Sequence, residues 1–273
     1  MNWKAPDEPV VFMHGMGVLA HLLAPGDVFD RIAAAARHRG VRAFAPRVPP
    51  YNPTRIRAQA WDHHCRRILA ETGSQNLHLI GFSTGGLDAR YLVSRLGGAG
   101  YAASVTLIAT PHRGSALAEY AVALPALVRD PIFAVIDRLA KTVYPESEPD
   151  VFGTLAELTK PNMTQRFNPA VPDVAGVPYF SFSAQAGQGA PNPASPLIWP
   201  LNRLVYARDG VNDGFVSVES AQWTNHQGTL PADHAQLVAL FDAFNPHFDA
   251  RRFYLSWMMR LGERGSAASF WSP

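Results

Sequence analysis

Asn76-Leu77-His78-Leu79-Ile80-Gly81-Phe82-Ser83-Thr84-Gly85-Gly86-Leu87-Asp88-Ala89-Arg90 is the stretch whose reading decides the fold. Its first half has Leu77, Leu79 and Ile80 with no proline to break a ladder, and it reads as a buried strand. Its second half begins a helix that carries Leu87, Tyr91, Leu92 and Leu96. Between them Gly81-Phe82-Ser83-Thr84-Gly85 fits G-x-S-x-G. A strand that turns at once into a helix leaves Ser83 at the apex in a strained backbone conformation. Side chains two positions to either side would meet the crossing backbone, so glycine is required at 81 and 85. The turn holds the hydroxyl above the sheet and aims backbone N–H groups and the positive helix end at the same point.

Outward from this turn the chain alternates. Val10-Val11-Phe12-Met13 is a short apolar run that stops at His14-Gly15-Met16-Gly17, as a central parallel strand entering a loop does. Asp27 to His38 reads as a helix closed by Gly40, Val41 to Val48 as a strand loosened at Pro46, and Arg55 to Thr72 as a helix. Ala102 to Ala109 is the next strand and ends at Thr110-Pro111-His112-Arg113-Gly114-Ser115. This rhythm predicts an α/β fold, a mostly parallel sheet with helices on both faces. Right-handed crossovers then bring the loops at His14, Ser83 and Thr110 to one edge, where open α/β sheets place their ligands.

Residues 115–175 break the rhythm. Ala116 to Leu127, Ile132 to Ala140 and Phe152 to Leu158 read as short helices separated by turns at Pro125, Pro131, Pro145 and Pro149. An insertion of that length on the ligand edge reads as a cap or lid. Val177 to Ala184 resumes as a strand, and Gly187 to Pro200 is a polar, proline-rich loop. Val211 to Val218 reads as a turn feeding a strand, Pro231 to Val238 as a loop opening a helix, and Asp249 to Gly262 as a final amphipathic helix.

Composition bounds the function. At 273 residues, 47% hydrophobic and 17% charged, the chain suits one folded domain, 1–273, with no separate second domain. A formal charge of +2 without a Lys/Arg run gives no footprint for nucleic acid. The lone Cys65 excludes an internal disulfide and sits in a helical pattern. No apolar run spans a bilayer, and Met1 to Val11 has no signal core, which predicts a cytoplasmic protein. No G-x-x-x-x-G-K-[ST] run is present, which sets an NTPase aside.

A serine hydroxyl attacks only if a base takes its proton and a carboxylate orients that base. In hydrolases with a serine at such a turn, the acid and then the histidine follow it in the chain. Asp130, Asp173, Asp209 and Asp213 lie near turn signals. Asp213, before Gly214 at a strand-flanking turn, is favoured, with Asp209 as its rival. Among His226, His234 and His247, His234 precedes a helix that would anchor it and is favoured. The oxyanion needs two donors, expected from the N–H of Thr84 and, in the loop after the first strand, the N–H of Met16. His14 is expected to shape its loop by hydrogen bonding, and His112 to pack against the sheet edge.

His14-Gly15-Met16-Gly17, the run Gly81 to Tyr91, Thr110 to Ser115, Asn212-Asp213-Gly214-Phe215-Val216-Ser217 and Asp233-His234 together resemble the bacterial triacylglycerol lipases of the α/β-hydrolase superfamily. Asn212 to Trp223 is especially similar to the branch shared with fungal relatives. The resemblance implies Ser83, Asp213 and His234 as a triad, Met16 and Thr84 as oxyanion donors, carboxylic ester hydrolysis, and a mobile lid over an apolar acyl cleft. It implies a lipid or other apolar ester as substrate. Many secreted members hold calcium partly through an Asp two residues after the catalytic histidine. Here Gln236 stands there, so neither metal nor cofactor is expected. Phe82 occupies a position where His is commoner, which changes packing rather than mechanism. Hydrolysis of a thioester, polyester or lactone, or a non-catalytic binding role on the same fold, are the alternatives.

Overall fold

Strands apolar on both sides must be covered on both sides, and that requirement shapes the molecule. The structure is a computed structural model and describes residues 4–16 and 29–265. In chain order its elements are β1 (Val10–Met13), α1 (Asp30–Arg37), β2 (Ala43–Phe44), α2 (Thr54–Thr72), β3 (Leu77–Phe82), α3 (Thr84–Arg95) and β4 (Ala102–Ile108). Then come α4 (Ala116–Ala123), α5 (Ala126–Val143), α6 (Val151–Glu157) and an irregular helix α7 over 160–170. The chain closes with β5 (Tyr179–Ala184), α8 (Trp199–Asp209), α9 (Val218–Ala221), β6 (His226–Leu230) and α10 (Ala250–Gly265).

The six strands form one sheet in the order β2-β1-β3-β4-β5-β6, and each neighbouring pair is parallel. Alternation sorts the side chains. Val10, Phe12, Ile80 and Ile108 face Ile32 of α1 and Tyr254, Trp257 and Met258 of α10. Val11, Met13, Leu79, Val105 and Leu107 face Trp61, Cys65 and Ile68 of α2 and Leu92 of α3. Where α10 crosses the sheet, the indole N–H of Trp257 donates to the Thr106 hydroxyl at 2.9 Å, so its buried polar atom is satisfied.

Several expectations are corrected. The strand expected over 41–48 pairs only at Ala43–Phe44. It is an edge strand, and Pro46 has no N–H to donate. Pro131 does not make a turn but lies inside α5. The carbonyl it leaves without a donor belongs to Leu127, a residue 89% exposed, so water can serve it. Residues 211–218 form no strand beyond a single Asn212–Ser217 bridge, because side chains claim the backbone. Asp213 Oδ1 accepts from the N–H groups of Phe215 and Val216, and Ser217 caps α9. The sixth strand is His226–Leu230, polar because it lies at the edge. The helix expected to open at His234 is only a 3₁₀ turn, Gln236–Val238. The first helix is seen from Asp30, and Asp27, Val28 and Gly17 lie outside the described residues.

Candidate active site

Ser83 stands between β3 and α3 with φ 55° and ψ −131°, the strained apex expected from its flanking glycines. The steric reason holds at both. A Cβ on Gly81 would lie 2.5 Å from Gly86 Cα, and one on Gly85 would lie 2.1 Å from the Met13 carbonyl oxygen. These obstacles are backbone and cannot swing away. The His14–Met16 loop is as close on the other side, since a Cβ on Gly15 would sit 2.7 Å from Ser83 Cβ.

His234 and Asp213 reach Ser83 from the loops after β6 and before α9. His234 Nε2 lies 3.0 Å from Ser83 Oγ, and Nδ1 lies 2.6 Å from Asp213 Oδ2. An ionised carboxylate only accepts, so Nδ1 carries the proton and the Nε2 lone pair faces the serine hydroxyl. A hydroxyl so placed can give its proton to the ring as its oxygen attacks a carbonyl. The imidazole is held between Phe82 and Phe215, with ring centroids 4.6 and 5.0 Å away. Asp213 is fully buried, while Ser83 and His234 line a cavity of about 430 Å³. Leu117, Ala118 and Ala121 of α4, Ile136 of α5, and Leu155 of α6 close that cavity from the insertion side.

The rival residues lie elsewhere. Asp209 ends α8, accepts from the Ala116 N–H at 3.2 Å and pairs with Lys160 Nζ at 2.5 Å, tying the start of the insertion to α8. His226 is on β6, where its ring meets Ser181. Asp173 faces the Trp223 indole. His112 stacks on Trp223 at 4.8 Å, and Arg90 donates to its Nδ1 at 3.2 Å. His14 accepts from the Val48 N–H through Nε2 at 3.2 Å, which puts its proton on Nδ1, 2.9 Å from the Gly15 carbonyl.

Two supporting networks escaped sequence reasoning. Arg57, buried in α2, pairs with buried Asp88 of α3 at 2.8 Å and also donates to the carbonyls of His14, Pro49 and Pro50. It thereby fixes the loop that runs past Ser83. Beside His234, Asp233 is fully buried and its carboxylate is filled by protein donors. Oδ1 takes the N–H groups of Ala235 and Gln236, each at 3.0 Å. Oδ2 takes the N–H of Ser195 at 2.7 Å and the Ser195 hydroxyl. Gln236 accepts from the Asp233 N–H and from Asn245, and donates to Ser195. Calcium needs free oxygen ligands, whereas both Asp233 oxygens and Gln236 Oε1 are each already filled by two protein donors. The one available signal was the Asp233-His234 pair; Ser195 and Asn245 carried none.

A parallel sheet with serine at the β3–α3 turn, facing histidine and aspartate from later loops, defines an α/β-hydrolase. No protein-family model matches the chain. It is 31% identical to triacylglycerol lipase 2 of Saccharomyces cerevisiae, over 87% of this chain and 82% of the yeast protein. It is 29% identical to the triacylglycerol lipase of Burkholderia plantarii, over 56% of this chain and 41% of that one. In fold it is similar to a lipase of Bacillus licheniformis, with a TM-score of 0.66 over 96% of each chain at 17% identity. A metagenomic carboxyl esterase has a TM-score of 0.72 over 97% of this chain and 77% of that one, also at 17% identity. The chain belongs to the triacylglycerol lipase family of α/β-hydrolases, a family of carboxylic ester hydrolases.

Proposed function

We propose that Ser83, His234 and Asp213 act as a catalytic triad that cleaves apolar carboxylic esters, triacylglycerols among them, through an acyl-enzyme. The observation that carries this reading is the continuous line from Asp213 Oδ2 to His234 Nδ1 at 2.6 Å and from Nε2 to Ser83 Oγ at 3.0 Å. Ser83 Oγ attacks the ester carbonyl while Nε2 takes its proton. Asp213 stabilises the imidazolium so formed, and Nε2 returns the proton to the departing alcohol. Water, deprotonated by the same nitrogen, then releases the acid. The cavity supports an apolar acyl group, because Leu117, Leu155, Leu158 and Val238 contribute to its wall.

The insertion over 115–175 acts in this reading as a lid. On α5, Ile136 lines the cavity, and Val128, Ile132, Val135, Leu139 and Val143 form an exposed stripe along the adjoining face. Such a stripe suits a lipid–water interface. None of the described helices is long and apolar enough to cross a membrane. Ser83→Ala, assayed on p-nitrophenyl esters of increasing chain length with and without an emulsified interface, tests the reading. The expected result is loss of turnover on every ester; retained turnover overturns it.

A further inference from the structure

The N–H of Met16, expected to meet the oxyanion directly, is aimed at a side chain. It donates to Thr84 Oγ1 at 2.9 Å. Thr84 is the first residue of α3, so no preceding helical turn offers a carbonyl to its hydroxyl. The residue is 4% exposed and lines the same cavity as Ser83 and Met16. Its oxygen accepts one bond, and no acceptor among the described residues is paired with its proton. The hydroxyl belongs to a residue of the cavity wall, next to Ser83 in the chain, and is free to turn its proton toward a bound ester.

We propose that the Thr84 hydroxyl is itself a catalytic donor to the oxyanion, with the Met16 amide acting through it. The inference rests on the triad reading. In the tetrahedral intermediate the carbonyl oxygen gains full negative charge. A chain from Met16 N–H to Thr84 Oγ1–H to O⁻ places an O–H against that charge, the shorter and stronger kind of hydrogen bond. The amide polarises the hydroxyl and makes it a better donor. The Thr84 N–H, opening α3 without an intrahelical acceptor, supplies the second donor. A neutral ester oxygen draws on this chain less than the anion does, so the gain falls on the transition state.

The opposite reading is that Oγ1 occupies the Met16 N–H and blocks it. Thr84→Val separates the two, because it keeps the β-branched shape and removes the hydroxyl. Thr84→Ser restores the hydroxyl, and Thr84→Ala repeats the deletion with less bulk should the valine variant not fold. Each is measured for kcat and KM on p-nitrophenyl butyrate, and for inhibition by butylboronic acid, whose serine adduct carries a tetrahedral anion. Deleting the hydroxyl is expected to lower kcat by about 100-fold, the usual effect of one oxyanion donor. KM should stay within about threefold, as for an interaction made only in the transition state. Boronate affinity should fall alongside kcat, and Thr84→Ser should recover most of both. An unchanged or raised kcat, or a lowered kcat with boronate affinity intact, overturns the proposal. Ser83→Ala run in parallel keeps the two claims apart, since turnover in that variant defeats the triad whatever Thr84 does.

Discussion

His234 is bound to Asp213 twice: the ring Nδ1 lies 2.6 Å from Oδ2, and the backbone N–H of His234 donates to the Asp213 carbonyl at 2.8 Å. The two loops are therefore locked together without the carboxylate. Asp213→Asn should keep the fold, because an amide oxygen at the Oδ1 position still accepts from Phe215 and Val216. The amide NH₂ would then face Nδ1 and force the proton to Nε2, where it cannot receive the serine proton. If the proposed triad holds, kcat should fall by about 10⁴-fold with little change in melting temperature, the effect of the wrong tautomer in a serine-protease triad. Steady-state kinetics together with thermal unfolding checks this.

Asp233 should hold His234 in place through its four donors. In Asp233→Asn, one oxygen becomes an NH₂ that faces either Ser195 or the N–H groups of Ala235 and Gln236. Leaving such a buried group unsatisfied costs about 1–3 kcal/mol. The loop should shift, lowering kcat by at least about tenfold for a 1.4 kcal/mol loss of transition-state stabilisation. Added calcium should restore nothing. Urea unfolding and ester kinetics, each with and without calcium, check both statements.

Acid should destabilise the protein through His112. Burial holds its pKa well below 6.5, and the neighbouring Arg90 and Arg113 guanidiniums push it the same way. The folded state keeps this ring neutral, whereas the unfolded chain protonates it near pH 6.5. The stability it contributes is thus present above pH 6.5 and is lost as pH falls below it. One proton is worth about 1.4 kcal/mol per pH unit. Unfolding of wild type and His112→Gln at pH 7.5 and 5.5 should show the smaller loss in the variant.

The sheet and the turn at Ser83 were legible because each rests on local sterics. Gly81 and Gly85 are fixed by the backbone that crosses them, and β1, β3 and β4 by buried apolar side chains along stretches that no proline interrupts. Chain order and turn chemistry brought out Ser83, Asp213 and His234. What escaped depends on contacts far apart in sequence or on side chains that capture backbone. Arg57 meets Asp88 across 31 positions, and Met16 meets Thr84 across 68. The strand expected after Asn212 gave way because Asp213 and Ser217 bond their own backbone. The edge strand His226–Leu230 has the composition of a loop, because an edge needs little apolar surface.

The most direct measurement is covalent labelling with a fluorophosphonate, followed by intact mass and peptide mapping. Nucleophilic attack by Ser83, drawn by His234, gives one adduct per chain, carried on the peptide that contains Ser83 and lost in Ser83→Ala. An unlabelled protein, or an adduct on another residue while Ser83→Ala still hydrolyses esters, contradicts the triad.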